Sequence, residues 1–128
     1  MTPDLSWLVW TIVLTFVQVV VAAATANAQV GLPELAGNRE GMAPLTGLAG
    51  RAQRAHRNML ESLPLFIALV LVAHIANRAN GTSLLGEQLF FWARLVYAIV
   101  YIIGIPWVRT LLWGISVIGL ILIFAQLV

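Results

Sequence analysis

The chain has no cysteine and no lysine, and few charges of either sign. Without cysteine there is no disulfide, no protein thiol nucleophile and no thiolate metal site. Charged residues make up 9% of the sequence, against about 25% in a soluble domain, so charge cannot coat a water-facing globule and the bilayer must be the main solvent. All seven cationic side chains are arginines, set against five acids for a net charge of +2. That excess is too small, and too free of basic runs interleaved with aromatics, for a nucleic-acid partner to be expected. The two histidines, His56 and His74, lie far apart in sequence with no acidic neighbour at ligand spacing, so no metal site is expected either.

What the sequence does have is four apolar segments: Leu5 to Ala26, Met59 to Asn77, Gln88 to Ile105 and Trp107 to Val128. As helices each would span about 27–33 Å, against a hydrocarbon core of about 30 Å. No alternation of a membrane β-barrel is present, so helices are the way to satisfy the backbone. With their polar lead-ins, the helices are expected over about 5–26, 48–77, 86–105 and 107–128, within one membrane domain covering 1–128. The small-residue stretch Ala26 to Ala28 would suit signal cleavage. However, the only early charge is Asp4 and the apolar run exceeds a signal core, so the first segment reads as a retained helix.

The first connection, about 29–47, holds Gly31, Pro33, Gly37, Gly41, Pro44 and Gly47 and reads as a loop. The second, Arg78 to Gly86, is short and polar, and the third is a tight turn at Pro106, which cannot continue a helix. Short links give an all-α integral membrane protein, an up-down-up-down four-helix bundle. Arg39, Arg51, Arg54 and Arg57 cluster at loop one and Arg109 lies by loop three, whereas only Arg78 sits at the other end. The positive-inside rule then places loops one and three in the cytoplasm and both termini outside. Asn80 opens a formal glycosylation sequon, which reads as a chance occurrence in a turn. The five tryptophans suit interfacial anchoring, and Gly114 and Gly119 in the last segment permit close helix contact.

Polar residues interrupt the greasy pattern in two places. At about 100° per residue, Arg51, Arg54, Asn58 and Glu61 share a sector of about 80° on the second helix, with Arg57 at its edge and His56 well away. On the third helix Glu87, Phe90, Arg94, Tyr97 and Tyr101 share a similar sector. Ionisable groups within a membrane turn inward and find partners, so the stripes are expected to meet, with Arg–Glu and Arg–Tyr pairs between them. Together with Arg109 they would form one polar cavity near the cytoplasmic surface. Alternatively the arginines form a juxtamembrane cluster for anionic lipid head groups, with Glu61 a structural partner of Arg94. Head-group binding alone would not call for Asn58 and Glu61 deeper on the same face.

The stretch "RAQRAHRNMLE" resembles the R-x-x-R-A-x-x-N-x-x-E pattern of the MAPEG proteins, the membrane-associated proteins in eicosanoid and glutathione metabolism. Arg94, Tyr97 and Tyr101 followed by Arg109 resemble the second half of that pattern. The spacing from Tyr101 to Arg109 differs by a residue from some members, and "LTGLAGRAQRAHRN" is most similar to the small bacterial ones. The resemblance covers nearly the whole chain. It implies a homotrimer, in a bacterial inner membrane, with one glutathione site per subunit interface. Arg54, Asn58 and Glu61 would contact the tripeptide, supported by Arg51 and Arg57. Tyr97 and Tyr101 would close the site, with Arg94 beneath and Arg109 by the sulfur. Thr110 matches a hydroxyl position of the prostaglandin-synthesising branch.

The resemblance implies a glutathione transferase or peroxidase in which the cosubstrate brings the missing sulfur, a hydrophobic small molecule arrives through the lipid, and Arg109 and Tyr101 are the catalytic pair. The other class of function is a non-catalytic lipid-binding or scaffold protein of the same fold. A transporter is disfavoured by the uniformly apolar outer halves of the helices, such as "LFIALVLVA".

Overall fold

The computed structural model describes residues 1–128. It contains helices and no strand: α1 (Pro3–Val30), α2 (Leu32–Ala36), α3 (Gly47–Ile75), α4 (Gly81–Ile103) and α5 (Pro106–Ala125). Four of these, α1, α3, α4 and α5, are long and apolar enough to cross a membrane. They run alternately up and down; the first connection carries α2, and the other two are short.

The helix ends follow local chemistry, and three of them depart from the sequence expectation. First, α1 extends through Gln29 and Val30, into the expected loop, and stops at Gly31, whose φ of 85° breaks the helical path. Second, that loop contains the five-residue α2, started by Pro33, whose missing N–H costs nothing in a first turn. Third, α4 begins at Gly81, five residues ahead of the expected start, so much of the presumed second linker is helical. The reason is Asn80. Its side chain accepts from the Thr82 and Ser83 backbone N–H groups at 3.0 and 2.9 Å, while Ser83 Oγ accepts from the Asn80 N–H at 2.8 Å. This reciprocal cap satisfies donors that the helix start leaves free. Asn80 Nδ2 also donates to Gln126 Oε1 at 2.8 Å, tying the start of α4 to the end of α5. At its other end α4 is closed by Gly104 in the left-handed region (φ 98°), and Pro106 then opens α5.

The interior is built on Met59, Phe66 and Val70 of α3, Phe90 of α4, Leu8 and Leu14 of α1, and Ile123 of α5. Phe66 and Phe90 stack with centroids 4.3 Å apart. Outward-facing residues such as Val9, Trp10, Phe16, Leu111, Ile118 and Phe124 are large, apolar and exposed. That is the surface a hydrocarbon solvent selects, and within it helices associate by close packing rather than by a hydrophobic drive.

The tightest packing is α4 against α5 at Gly86 and Gly119. A Cβ on either glycine would lie 2.5 Å from the other's carbonyl oxygen, so the two backbones touch. Gly114, the other glycine expected to allow close approach, faces open space.

Candidate functional site

The polar stripes of α3 and α4 do meet, and a buried arginine joins them. Arg94 is 1% exposed. Its Nη1 donates to Asn58 Oδ1 at 2.8 Å, and its Nη2 donates to the Asn58 carbonyl at 3.3 Å and to Ser62 Oγ. The guanidinium carbon lies 5.0 Å from the Tyr97 ring centre and 5.7 Å from that of Phe90. A planar fork suits this arrangement, because it spreads donors over several acceptors while its faces rest on aromatic rings. The effect is to lock α3 to α4 at the height of Asn58.

The expected partner of Arg94 was a carboxylate, and here the structure corrects the sequence reading. Arg94 pairs with an amide and a hydroxyl. Glu61 makes no salt bridge and is exposed on α3. Glu87, on the same α4 stripe, is fully buried with both carboxylate oxygens lacking a partner. Two turns of α4, about 10 Å along the axis, separate it from Arg94, too far for contact. Ser62 was missed. Its signal was present: it lies one turn beyond Asn58 on the same helical face.

Above this lock, toward the arginine-rich end, lies a hollow of about 210 Å³ lined by Asn58, Tyr97, Arg109, Thr110 and Trp113. Arg109 reaches it from the first turns of α5, placed there by the Gly104–Pro106 turn. Its guanidinium carbon sits 4.3 Å from the Tyr101 ring centre, and Tyr101 in turn meets Tyr97 edge to face at 5.7 Å. A chain Arg94–Tyr97–Tyr101–Arg109 therefore runs beside it, two phenol rings between two cations, of which Tyr97 and Arg109 line the hollow itself. The N-terminus of α5 adds free backbone N–H groups and a positive field at the same place. The hollow is thus suited to an anion with a polar body.

The remaining expected residues are placed differently. Arg51 is half-buried, and its Nε donates to the Ile102 carbonyl at 2.8 Å, tying the start of α3 to the end of α4. Arg54, Arg57 and Glu61 project from α3 on the surface of the single chain. They flank the hollow rather than line it. A second hollow, about 480 Å³, lies at the opposite end of the bundle beside Asp4, His74, Asn77 and Asn80. There His74 Nδ1 and Asp4 Oδ2 are 3.1 Å apart. It contains no arginine.

The family model for the MAPEG family matches residues 5–128, nearly the whole chain, and this protein belongs to that family. No curated protein and no solved structure matches it. Membership makes this a membrane protein of the glutathione and eicosanoid group, whose members generally use glutathione and lipophilic substrates. The group includes transferases and peroxidases and also proteins without catalytic activity.

Proposed function

We propose that this protein is a membrane glutathione-dependent transferase or peroxidase, and that the hollow of Asn58, Tyr97 and Arg109 holds the reactive end of glutathione. The observation that supports this most is the lock made by buried Arg94, which fixes an amide and a phenol beside an opening that Arg109 also lines. Glutathione carries two carboxylates, an ammonium and a thiol. Arginine forks suit the carboxylates, and the exposed Arg54 and Arg57 beside exposed Glu61 offer charges of both signs for the rest of the peptide. A hollow of about 210 Å³ cannot enclose a tripeptide. The projecting α3 face is therefore read as one wall of a site completed by a second copy in a homotrimer, with Arg51 and Arg57 in support and Thr110 at the rim. The proposed orientation puts this end in the cytoplasm, in keeping with Arg39, Arg51, Arg54, Arg57 and Arg109 at one face.

The chemistry follows from the cation. Arg109 favours the thiolate over the thiol, and the thiolate is the nucleophile. With a nitroaryl chloride, a carbon–sulfur bond forms and the carbon–chlorine bond breaks. Chloride leaves, and the thiol proton goes to solvent. With a lipid hydroperoxide the sulfur attacks the distal oxygen, the O–O bond breaks and the alcohol is released, leaving a sulfenic acid from which a second glutathione thiol displaces water to close the disulfide. Tyr101, whose ring lies under the guanidinium, is proposed to hold Arg109 in position beside the sulfur.

The test is steady-state conjugation of a nitroaryl chloride by the purified protein. Arg109→Ala is expected to reduce kcat by about 100-fold, the order seen when one preorganised charge-stabilising donor is removed. Arg54→Ala is expected to raise the KM for glutathione with little change in kcat, as loss of uniform binding does. A wild-type protein with no turnover of either a nitroaryl chloride or a hydroperoxide would count against the enzyme reading. The exposure of Arg54 and Arg57 favours the alternative in that case, a lipid-binding or scaffold protein whose basic face holds anionic head groups.

A further inference from the structure

Midway along α1, deep in the hydrocarbon zone, stands Gln18. It is 7% exposed, and its Oε1 is sealed from solvent with no hydrogen-bond partner. It forms the one polar part of the wall of a narrow slot between α1 and α4, about 160 Å³ in volume. The rest of the wall is aliphatic, from Leu14 and Val21 of α1, Ala52 of α3, and Leu95, Ile99 and Ile102 of α4. None of these residues lines the Asn58–Arg109 hollow, which opens on a different face of α4. The slot exists because Ala52 and Ala98 put small side chains where three helices converge.

A primary amide here is unfavourable unless something bonds to it, since hydrocarbon offers no donor. Thr11 and Thr15 on the same helix solve the problem locally, by donating to carbonyls one turn back at 2.8 and 2.9 Å. Gln18 does not. Water is a poor occupant, because a buried water needs about two to four polar partners and the slot supplies one side chain. The volume resembles that of an apolar cavity of about 150 Å³ that takes up a benzene ring. Rotation about the terminal torsion of Gln18, which is broad, turns the amide into the slot.

We infer that the α1–α4 slot is a binding site for a neutral lipophilic hydroxyl compound, whose apolar body fills the aliphatic part and whose O–H donates to the Gln18 carbonyl. The hydroxyl can belong to an aromatic ring, as in a phenol or quinol, or to an aliphatic chain. The site is independent of the thiol chemistry above, and its occupant needs no charge.

The experiment is thermal unfolding of the purified protein in detergent with matched probe pairs: decanol against decane, and a para-alkylphenol against its methyl ether. Each is titrated against wild type, Gln18→Leu and Ala98→Leu. On wild type, the hydroxyl member of at least one pair is expected to raise the midpoint saturably and its partner to do so weakly. Which pair responds assigns the ring or the chain as the source. Gln18→Leu, close in shape and free of the orphan carbonyl, is expected to fold with an equal or higher midpoint and to erase the difference within the pair. Ala98→Leu, which fills the slot, is expected to erase the response to both members. Equal responses to both members on wild type, or a preference that survives Gln18→Leu, overturn the proposal. So does a lower midpoint of Gln18→Leu accompanied by a changed oligomer mass, since that assigns the amide to contact with a neighbouring copy.

Discussion

At the scale of single residues, Arg94 organises the site without lining it. It gives up water for Asn58, Ser62 and two aromatic faces, and its charge has no carboxylate at contact distance. Removing it would leave the half-buried amide and hydroxyl without their donor, at up to about 1–3 kcal/mol of unsatisfied polar group. Arg94→Met is therefore expected to lower the unfolding midpoint in detergent and to weaken glutathione binding, although Arg94 touches no part of the proposed ligand. Arg94→Lys is expected to recover little of either, because a point charge cannot serve Asn58 and Ser62 together. A variant Arg94→Met with wild-type midpoint and binding would show that the lock is dispensable.

Helical periodicity made much of this site legible. The wheel put Arg51 and Asn58 on one face of α3, and Arg94, Tyr97 and Tyr101 on one face of α4, because a fixed turn per residue is all that such grouping needs. It could not show which partner Arg94 takes. Glu61, Asn58 and Ser62 lie close together on that wheel, and the choice among them depends on the relative depth and tilt of α3 and α4. Periodicity of one helix is silent about both. The same limit explains Arg54 and Arg57. A wheel shows that they share a face and not whether that face turns to α4 or away from the chain.

At the scale of elements, the α4–α5 pair holds the proposed glutathione end in place through a contact at its far end. Gly86 and Gly119 let the two backbones touch. The Asn80 cap and its bond to Gln126 fix the same end, and the Gly104–Pro106 turn sets where Arg109 emerges. Gly119→Leu would force a side chain into the carbonyl of Gly86 and the backbone of Phe90. Overpacking of this kind costs about 1–3 kcal/mol. The expected outcome is a lower unfolding midpoint, while Gly114→Leu, facing open space, leaves the midpoint near wild type. Equal effects of the two substitutions would contradict the crossing point. Sequence spacing could not separate these glycines, since both sit in one apolar run and only the position of α4 distinguishes them. The start of α4 was hidden for a related reason. "NGTSLLG" looks like linker by composition, yet Asn80 and Ser83 at three-residue separation form a reciprocal cap.

At the scale of the whole molecule, charge is sorted by end. Six of the seven arginines lie at the level of Arg94 or toward the end that bears the hollow, and the opposite end carries Arg78, Asp4 and His74. The absence of native cysteine makes this sorting directly testable. Single cysteines at Thr46, in the first connection, and at Ala79, in the second, are expected to react with a membrane-impermeant maleimide from opposite sides. Thr46→Cys should label only in inverted vesicles and Ala79→Cys only in intact cells. The reverse pattern would put the arginine-rich hollow outside the cell and remove its access to cytoplasmic glutathione.

The central claim is that the hollow beside Arg94 binds glutathione, and the most direct measurement is the unfolding midpoint of the purified protein titrated with reduced glutathione. A ligand that binds only the folded state stabilises it by about 1.4 kcal/mol at ten times its dissociation constant. The midpoint of wild type is predicted to rise saturably within the millimolar range, and Asn58→Ala to need a higher concentration for the same rise. A midpoint that stays flat through millimolar glutathione, or that rises identically in Asn58→Ala, would contradict the account.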